Sequence, residues 1–312
     1  MRIVMTLLVR DEADIVADML DVHFALGVDH VIATDNLSVD GTDAILARYA
    51  DEGRLTLRRE TDDTYAQARW VSAMARSAAT DHGADWVINA DADEFWLPCA
   101  PDGTVTDLRT ALADVPDDVG VIQVRRWNFV ARDADQRPWH ERMRWRYADT
   151  VNHEGAALAP KVLHRAHPEA QVFMGNHWVE HDAGATLADD CIQLLHFPLR
   201  SYEQLVGKVL KGGTALENND ELDPALGIGW RTMLTDHREG RFEQQWRSWV
   251  PTDEALAAAV ADGSVVEDRR VADLISGLVT PAAGPTTPSR AAGAWRDRLR
   301  AWRAGSSATG AS

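Results

Sequence analysis

Before Asp91, four short apolar runs alternate with three segments whose apolar residues recur at helical spacing, and few folds accommodate that pattern. Arg2–Val9 is expected as a first strand. RDEAD follows, and Ile15, Met19, Val22, Phe24 and Leu26 mark a helix that Gly27 stops. His30–Thr34 is a second strand, followed by the polar loop Asp35–Thr42 and a helix over Asp43–Glu52 that ends at Gly53. Leu55–Leu57 forms a third strand. A long helix from about Tyr65 to His82 then breaks at Gly83, and Trp86–Ile88 is the fourth strand. Parallel neighbours need crossover helices, so this order predicts an α/β fold with a doubly wound, mostly parallel sheet and C-terminal helices. Such sheets bind ligands outside the carboxyl ends of their strands, which places Arg10–Glu12, Asp35–Asp40 and Asp91–Asp93 along one crevice.

The fourth strand sits in WVINADADEFW, Trp86–Trp96. If the extended backbone continues through Asp91 and Asp93, residues two apart project to one side and the two carboxylates converge on one cation. Mg²⁺ or Mn²⁺ held by paired carboxylates keeps positions open for phosphate oxygens. A solvated turn is the competing reading, and Asp133–Asp135 shows that a D-x-D triplet can be a plain polar loop. Neither a G-x-G-x-x-G nor a Walker A loop follows the first strand, where VRDEAD stands instead, so phosphate must be held by the metal or by other means.

At 312 residues, 45% hydrophobic and 26% charged, the chain is a globular protein able to bury a large core. A net charge of −17 excludes a general nucleic-acid binder, because phosphate backbones demand Lys and Arg. Cys99 and Cys191 fit neither a disulfide framework nor a metal site, which favours a reducing, cytoplasmic location. The run Ile3–Val9 is too short to span a membrane.

Further along, a helix is expected over Asp107–Val115 and strands over Val119–Val124, Trp127–Val130 and Lys161–His164. Trp127, Trp139 and Trp145 read either as core and strand cover or as flat faces for sugar rings. His196 closes an apolar run before Pro198, as a structural residue or as a third metal ligand. Ser201 and Gln204 form a capping pattern opening a helix that carries Lys208 and Lys211 toward Gly212–Gly213. Three regions follow from this: 1–215 as the catalytic unit, 216–280 as helices packed on it, and 281–312 as a linker, a basic amphipathic helix and a disordered tail. Within 290–303, Trp295, Leu299 and Trp302 share a face flanked by arginines, which suits either a closing helix or peripheral contact with the anionic inner face of a membrane.

VRDEADIVADMLDVHFALGVDHVIATDNLSVDGT, WVINADADEFW and HFPLRSYEQLVGKVLKGG together resemble the GT-A-type glycosyltransferases of family 2, closest to the branch that includes the family-92-like enzymes. The resemblance spans roughly Met1–Gly213. It implies a GT-A (nucleotide-diphospho-sugar transferase) fold, a nucleotide-sugar donor with a UDP-sugar first in line, and Mn²⁺ or Mg²⁺ bound through D-x-D. Carried across, Arg10, Glu12, Asp35 and Asn36 would contact base and ribose, and Gln67 and Arg69 would flank the nucleotide. Asp91 and Asp93 would meet ribose and metal, His196 would be the third metal ligand, and Lys208 would face the diphosphate. Many family-2 enzymes carry a second Asp where Asn36 stands, which leaves the base open.

The implied reaction is an inverting transfer to the hydroxyl of a glycan, a lipid-linked acceptor or a small molecule. Its general base must lie across the sugar from the metal, so Glu180, with Asp182 and Glu154 as reserves, is expected from NHWVEHD and its surroundings. The competing readings are a nucleotidyltransferase, which lacks its glycine-rich loop here, and a non-catalytic sugar- or nucleotide-binding protein on the same fold.

Overall fold

A computed structural model describes residues 1–279 apart from 65, 101, 189–190, 221–222 and 224–225. The expected linker, basic helix and tail of 281–312 lie outside the described residues. In chain order the elements are β1 (Ile3–Val9), α1 (Val16–Ala25), β2 (His30–Asn36), α2 (Thr42–Asp51), β3 (Leu55–Glu60), α3 (Gln67–Thr80), β4 (Trp86–Ala90), β5 (Glu94–Pro98) and α4 (Leu108–Leu112). They continue with β6 (Val119–Val124), β7 (Arg126–Asn128), α5 (Trp139–Arg142), β8 (Trp145–Tyr147), β9 (Lys161–Arg165), β10 (Gln171–Val172), β11 (Val179–Glu180), β12 (Ala185–Ala188) and β13 (Ile192–His196). The last are α6 (Tyr202–Glu217), α7 (Ile228–Arg238), α8 (Phe242–Trp249), α9 (Asp253–Ala261), β14 (Val265–Glu267) and α10 (Arg270–Val279).

The main sheet has the order β12-β6-β9-β4-β1-β2-β3, and only β9 runs against its neighbours. β1 is buried along almost its whole length, as a central parallel strand must be when helices cover both faces. α1 and α2 pack on one face through Met19, Leu20, Leu46 and Tyr49, and α3 packs on the other through Val71, Met74 and Ala78. This is the doubly wound arrangement expected of a GT-A fold. Val9 pairs with Asp35 and Leu7 with Ala90, so the loops after β1, β2 and β4 leave the sheet at one edge.

Past that edge the chain builds a second sheet, β5-β13-β7. Antiparallel pairing sets His196 opposite Glu94, and the Phe197 N–H donates to the Asp93 carbonyl at 2.9 Å. Residues a hundred positions apart in sequence thereby meet. Ser201 caps α6 by accepting from the Gln204 N–H at 3.1 Å, as its sequence predicts. Gly212 and Gly213 do not stop that helix. A Cβ on Gly213 would lie 2.9 Å from Leu234 Cδ2, so glycine lets α7 pack tightly against α6.

The 216–280 region is not purely helical, because β14 pairs with β8. Its parts also go to different places: α8 joins α6 and α7 in one cluster, and Val271 and Ile275 of α10 enter the main core. No described helix is long and apolar enough to cross a membrane.

Two core histidines make stability depend on pH. His23 donates from Nδ1 to the Met19 carbonyl at 2.8 Å and accepts at Nε2 from the Trp96 N–H at 3.0 Å, so only the neutral ring satisfies both. Burial drives the pKa of His23, and likewise of His164, down to about 4. Both titrate near 6.5 when unfolded, so the unfolded chain binds more protons below that value. Stability is therefore full above pH 6.5 and falls as pH drops toward 4, by about 3 kcal/mol per histidine. Urea unfolding between pH 7.5 and 4 should show that slope, and His23→Leu should flatten it whatever it does to absolute stability. A parent protein equally stable at both ends would contradict the assignment.

Candidate active site

A cleft of about 450 Å³ opens at the carboxyl edge of the main sheet. Arg10, Asp11 and Glu12 reach it from the loop after β1, Asn36 from β2, Gln67 from α3, and Asp91 and Asp93 from the connection between β4 and β5. Arg126 of β7, Lys161 of β9, His196 of β13, and Lys208 and Lys211 of α6 add basic groups.

Asp91 and Asp93 do not project together from a strand. β4 ends at Ala90, and the Glu94 N–H donates to the Asp91 carbonyl at 3.1 Å, so the pair lies in a tight turn. The same-side geometry expected of extended backbone is lost, and the carboxylates part. Asp91 accepts from Lys161 Nζ at 2.8 Å through one oxygen and from Asn176 Nδ2 at 3.3 Å through the other. Asp93 takes Lys208 Nζ at 2.7 Å on Oδ2, and its Oδ1 lies 3.6 Å from His196 Nε2. Burial works against the charge of Asp93. Lys208, with Arg200 behind it, nevertheless holds its carboxyl well below the usual range.

His196 and Asp93 form the part of the site that fits a cation. His196 Nδ1 lies 2.8 Å from Asn128 Oδ1 and donates to it, leaving a lone pair on Nε2. Burial lowers the His196 pKa to about 4, so at neutral pH no proton bridges the 3.6 Å to the carboxylate. Two electron-pair donors, Asp93 buried and His196 partly so, thus face each other without a hydrogen. Among the described residues no group of three or more His, Cys, Asp and Glu is arranged to hold a metal, and Asp91 is turned away. Mg²⁺-type ions commonly take one or two protein ligands and complete their shell with substrate phosphates and water, and this donor set suits that mode.

Behind the cleft, Arg200 is 1% exposed and ties the late segment to the first loop. Its Nε and Nη2 hold Asp14 at 2.7 and 3.0 Å, Nη2 also binds Glu12, and Nη1 donates to the Phe197 carbonyl at 3.0 Å. Burial opposes its charge, and Glu12 and Asp14 more than offset it. Lys208 in turn bridges Glu12 at 2.5 Å to Asp93.

Several residues singled out by sequence stand elsewhere. Asp35 is buried and does not line the cleft, with Arg59 at 3.7 Å, while Asn36 lines the cleft and donates to the Asp62 carbonyl at 2.8 Å. Arg69 is 65% exposed and pairs with Asp62 outside the cleft. Glu180 is exposed on β11, paired with β10 against the α3 face of the sheet, and Asp182 is exposed beside His167. Neither lines the cleft. Glu154 is exposed as well, although its neighbour His153 does line it. Trp127 and Trp139 are buried, Trp139 packing against Phe95 and Phe197, so they are core rather than a sugar platform. The tryptophans that line the cleft are instead Trp70 of α3, Trp230 of α7 and Trp249 of α8, with Met233 of α7 beside the last two.

Lys161, His177 and Arg200 went unnoticed in the sequence, yet composition carries a signal for the first. The chain has only three lysines, Lys161, Lys208 and Lys211, and all three line this cleft. Each holds a carboxylate there. An acidic protein that otherwise uses arginine has concentrated its ammonium groups in one place.

An α/β sheet with a carboxylate–histidine pair and lysines at its carboxyl edge has the chemistry that suits a phosphorylated ligand. Residues 4–206 match glycosyltransferase family 92, and the chain belongs to that family and is a glycosyltransferase. Family 92 is the nearer of the two groups that the motifs resemble. No curated protein sequence matches the chain significantly.

Among solved structures, TarS from S. aureus in complex with UDP is 13% identical, with 77% of this chain and 72% of that chain covered and a TM-score of 0.40. Glucosyl-3-phosphoglycerate synthase from Mycobacterium tuberculosis, in complex with Mn²⁺, UDP and phosphoglyceric acid, is 18% identical over 40% of this chain and 43% of that chain, with a TM-score of 0.26. HddC from Yersinia pseudotuberculosis is 10% identical over 66% and 97%, with a TM-score of 0.33.

Proposed function

We propose that this cleft binds a nucleotide-diphosphate sugar and transfers the sugar to an acceptor hydroxyl with inversion at the anomeric carbon. The observation that carries the reading is the Asp93–His196 pair, two facing donors without a proton between them, set beside Lys208. A divalent ion held by these two residues, Mn²⁺ or Mg²⁺, would neutralise charge on the departing diphosphate. Lys208 and Lys211, on one face of α6, bind the diphosphate oxygens, and Arg10, Glu12 and Asn36 shape the nucleoside end. Asp91, anchored by Lys161 and Asn176, presents a fixed carboxylate to ribose or sugar hydroxyls. Leu199, Met233 and Trp249 offer an apolar wall to the acceptor.

UDP, the nucleotide bound in the TarS and synthase complexes, is the first probe. A thermal-shift panel of UDP, GDP, CDP and ADP with and without Mn²⁺ should show one diphosphate raising Tm only when metal is present. No stabilisation by any of the four would remove the donor reading. NMR of the glycosylated product should show an inverted anomeric centre, and retention would refute the single displacement.

A further inference from the structure

With Glu180 and Asp182 outside the cleft, the proton acceptor has to come from another element. The same NHWVEHD stretch supplies one, three residues earlier. Gly175 (φ 74°) and Asn176 (φ 57°) are consecutive left-handed residues, so the chain reverses sharply between β10 and β11. That reversal is fastened to the site. The Gly175 N–H donates to Gln67 Oε1 at 2.9 Å, and Asn176, 1% exposed, holds Asp91. A Cβ on residue 175 would fall 2.6 Å from His177 Cδ2, so glycine is what lets the imidazole lie against this backbone and line the cleft.

The ring's tautomer follows from its partner. His177 Nδ1 is 2.7 Å from the Pro160 carbonyl, which can only accept, so Nδ1 carries the hydrogen and Nε2 the lone pair. Nε2 has no hydrogen bond among the described residues. Burial keeps the imidazole neutral; Lys161 of β9 and Arg126 of β7 add to that, while the Pro160 carbonyl and Asp91 of the β4–β5 turn oppose it. Of the cleft's other basic groups, His153 packs against Trp249 at the α8 wall, with its ring centroid 4.3 Å from that of the indole, and the rest hold charged partners. Asp11, Glu12, Asp91 and Asp93 each hold a lysine, and His196 faces Asp93.

We propose that His177 Nε2 is the general base for the acceptor. The assignment rests on the transferase reading above. The acceptor oxygen bonds to the anomeric carbon as its proton passes to Nε2. The bond from that carbon to the diphosphate oxygen breaks, its electron pair leaves on the diphosphate, and the imidazolium returns its proton to water.

The test uses the full chain with UDP-glucose or UDP-galactose and Mn²⁺, reading UDP release with water as acceptor. His177→Ala should lower kcat by about a hundredfold or more, leave the UDP–Mn²⁺ thermal shift unchanged, and regain turnover on added imidazole. A drop below about threefold, or a deficit that imidazole does not relieve, would overturn the role. Long-range ¹H–¹⁵N NMR of the ring needs no substrate and should show hydrogen on Nδ1; hydrogen on Nε2 would overturn it independently. If another diphosphate of the panel is the one that binds, its glucose and galactose sugars replace the UDP-sugars in this test, and only binding of none of the four counts against the donor reading instead.

Discussion

Asp93→Asn should lower turnover by about 10²–10³-fold, the scale of losing one group that stabilises charge developing in the transition state. The substitution keeps the side chain's shape and removes its charge. His196 then faces a neutral amide, and the Asp93–His196 pair loses its anionic member. Lys208 keeps Glu12 as a partner at 2.5 Å, so the fold should survive. Asp93→Ala is a poorer test, because it also leaves a void beside half-buried Lys208 and buried Arg200 and removes the acceptor oxygens along with the charge. Asp91→Asn should be milder, since its partners are Lys161 and Asn176 and it does not face His196. Mn²⁺ titrations of UDP binding and steady-state kinetics on the same protein would decide the matter. Parent-like Mn²⁺-dependent UDP binding in the Asp93 variant would mean that the metal is held elsewhere.

Arg200→Met should cost about 3–5 kcal/mol of unfolding free energy, because it strips the guanidinium from Glu12, which is itself buried. The contacts of Arg200 also set the site's shape, joining residues 186 and 188 positions apart in sequence. Without it Glu12 relies on Lys208 alone, and the lysine should be drawn from Asp93, weakening diphosphate binding as well. Arg200→Lys keeps the charge but not the fork that grips Asp14 through two nitrogens, so it should recover only part of the loss. Urea denaturation gives the stability difference, and calorimetry with UDP and Mn²⁺ gives the binding difference. A loss under about 1 kcal/mol would show that desolvation cancels these ion pairs almost completely.

Much of the scaffold was legible in the chain. Apolar runs of strand length, helical spacing and stop glycines report local preference, and β1 through β4 with their helices follow those signals within a few residues. The loops of one sheet edge were placed correctly, since parallel strands must all end there. Asp93 in its D-x-D, His196 at the end of an apolar run and Lys208 on the capped helix were all named from the residues, and the fold does gather them. Negative charge and the lack of a glycine-rich phosphate loop pointed to a metal or a local basic patch for holding phosphate.

Only tertiary structure decided which way particular side chains face. Asp91 and Asp93 part because the backbone turns where extended chain was expected, and a single i-to-i+3 hydrogen bond is enough to do it. Asn36 lines the cleft and Asp35 does not, because neighbours along a strand point to opposite faces. Glu180 and His177 are three residues apart, and the left-handed pair Gly175–Asn176 determines which of them reaches the site. Gly212 and Gly213, which the sequence shows only as a glycine pair beyond Lys211, are the notch into which α7 packs, and α7 and α8 then bring Trp230 and Trp249 to the cleft. Lys161 and Arg200 gain their roles from partners 67 to 188 positions away. Local sequence sets what each segment can form. The identity of a distant partner is settled when the sheets pair, because burying a lysine or an arginine is tolerable only where a carboxylate from another element meets it.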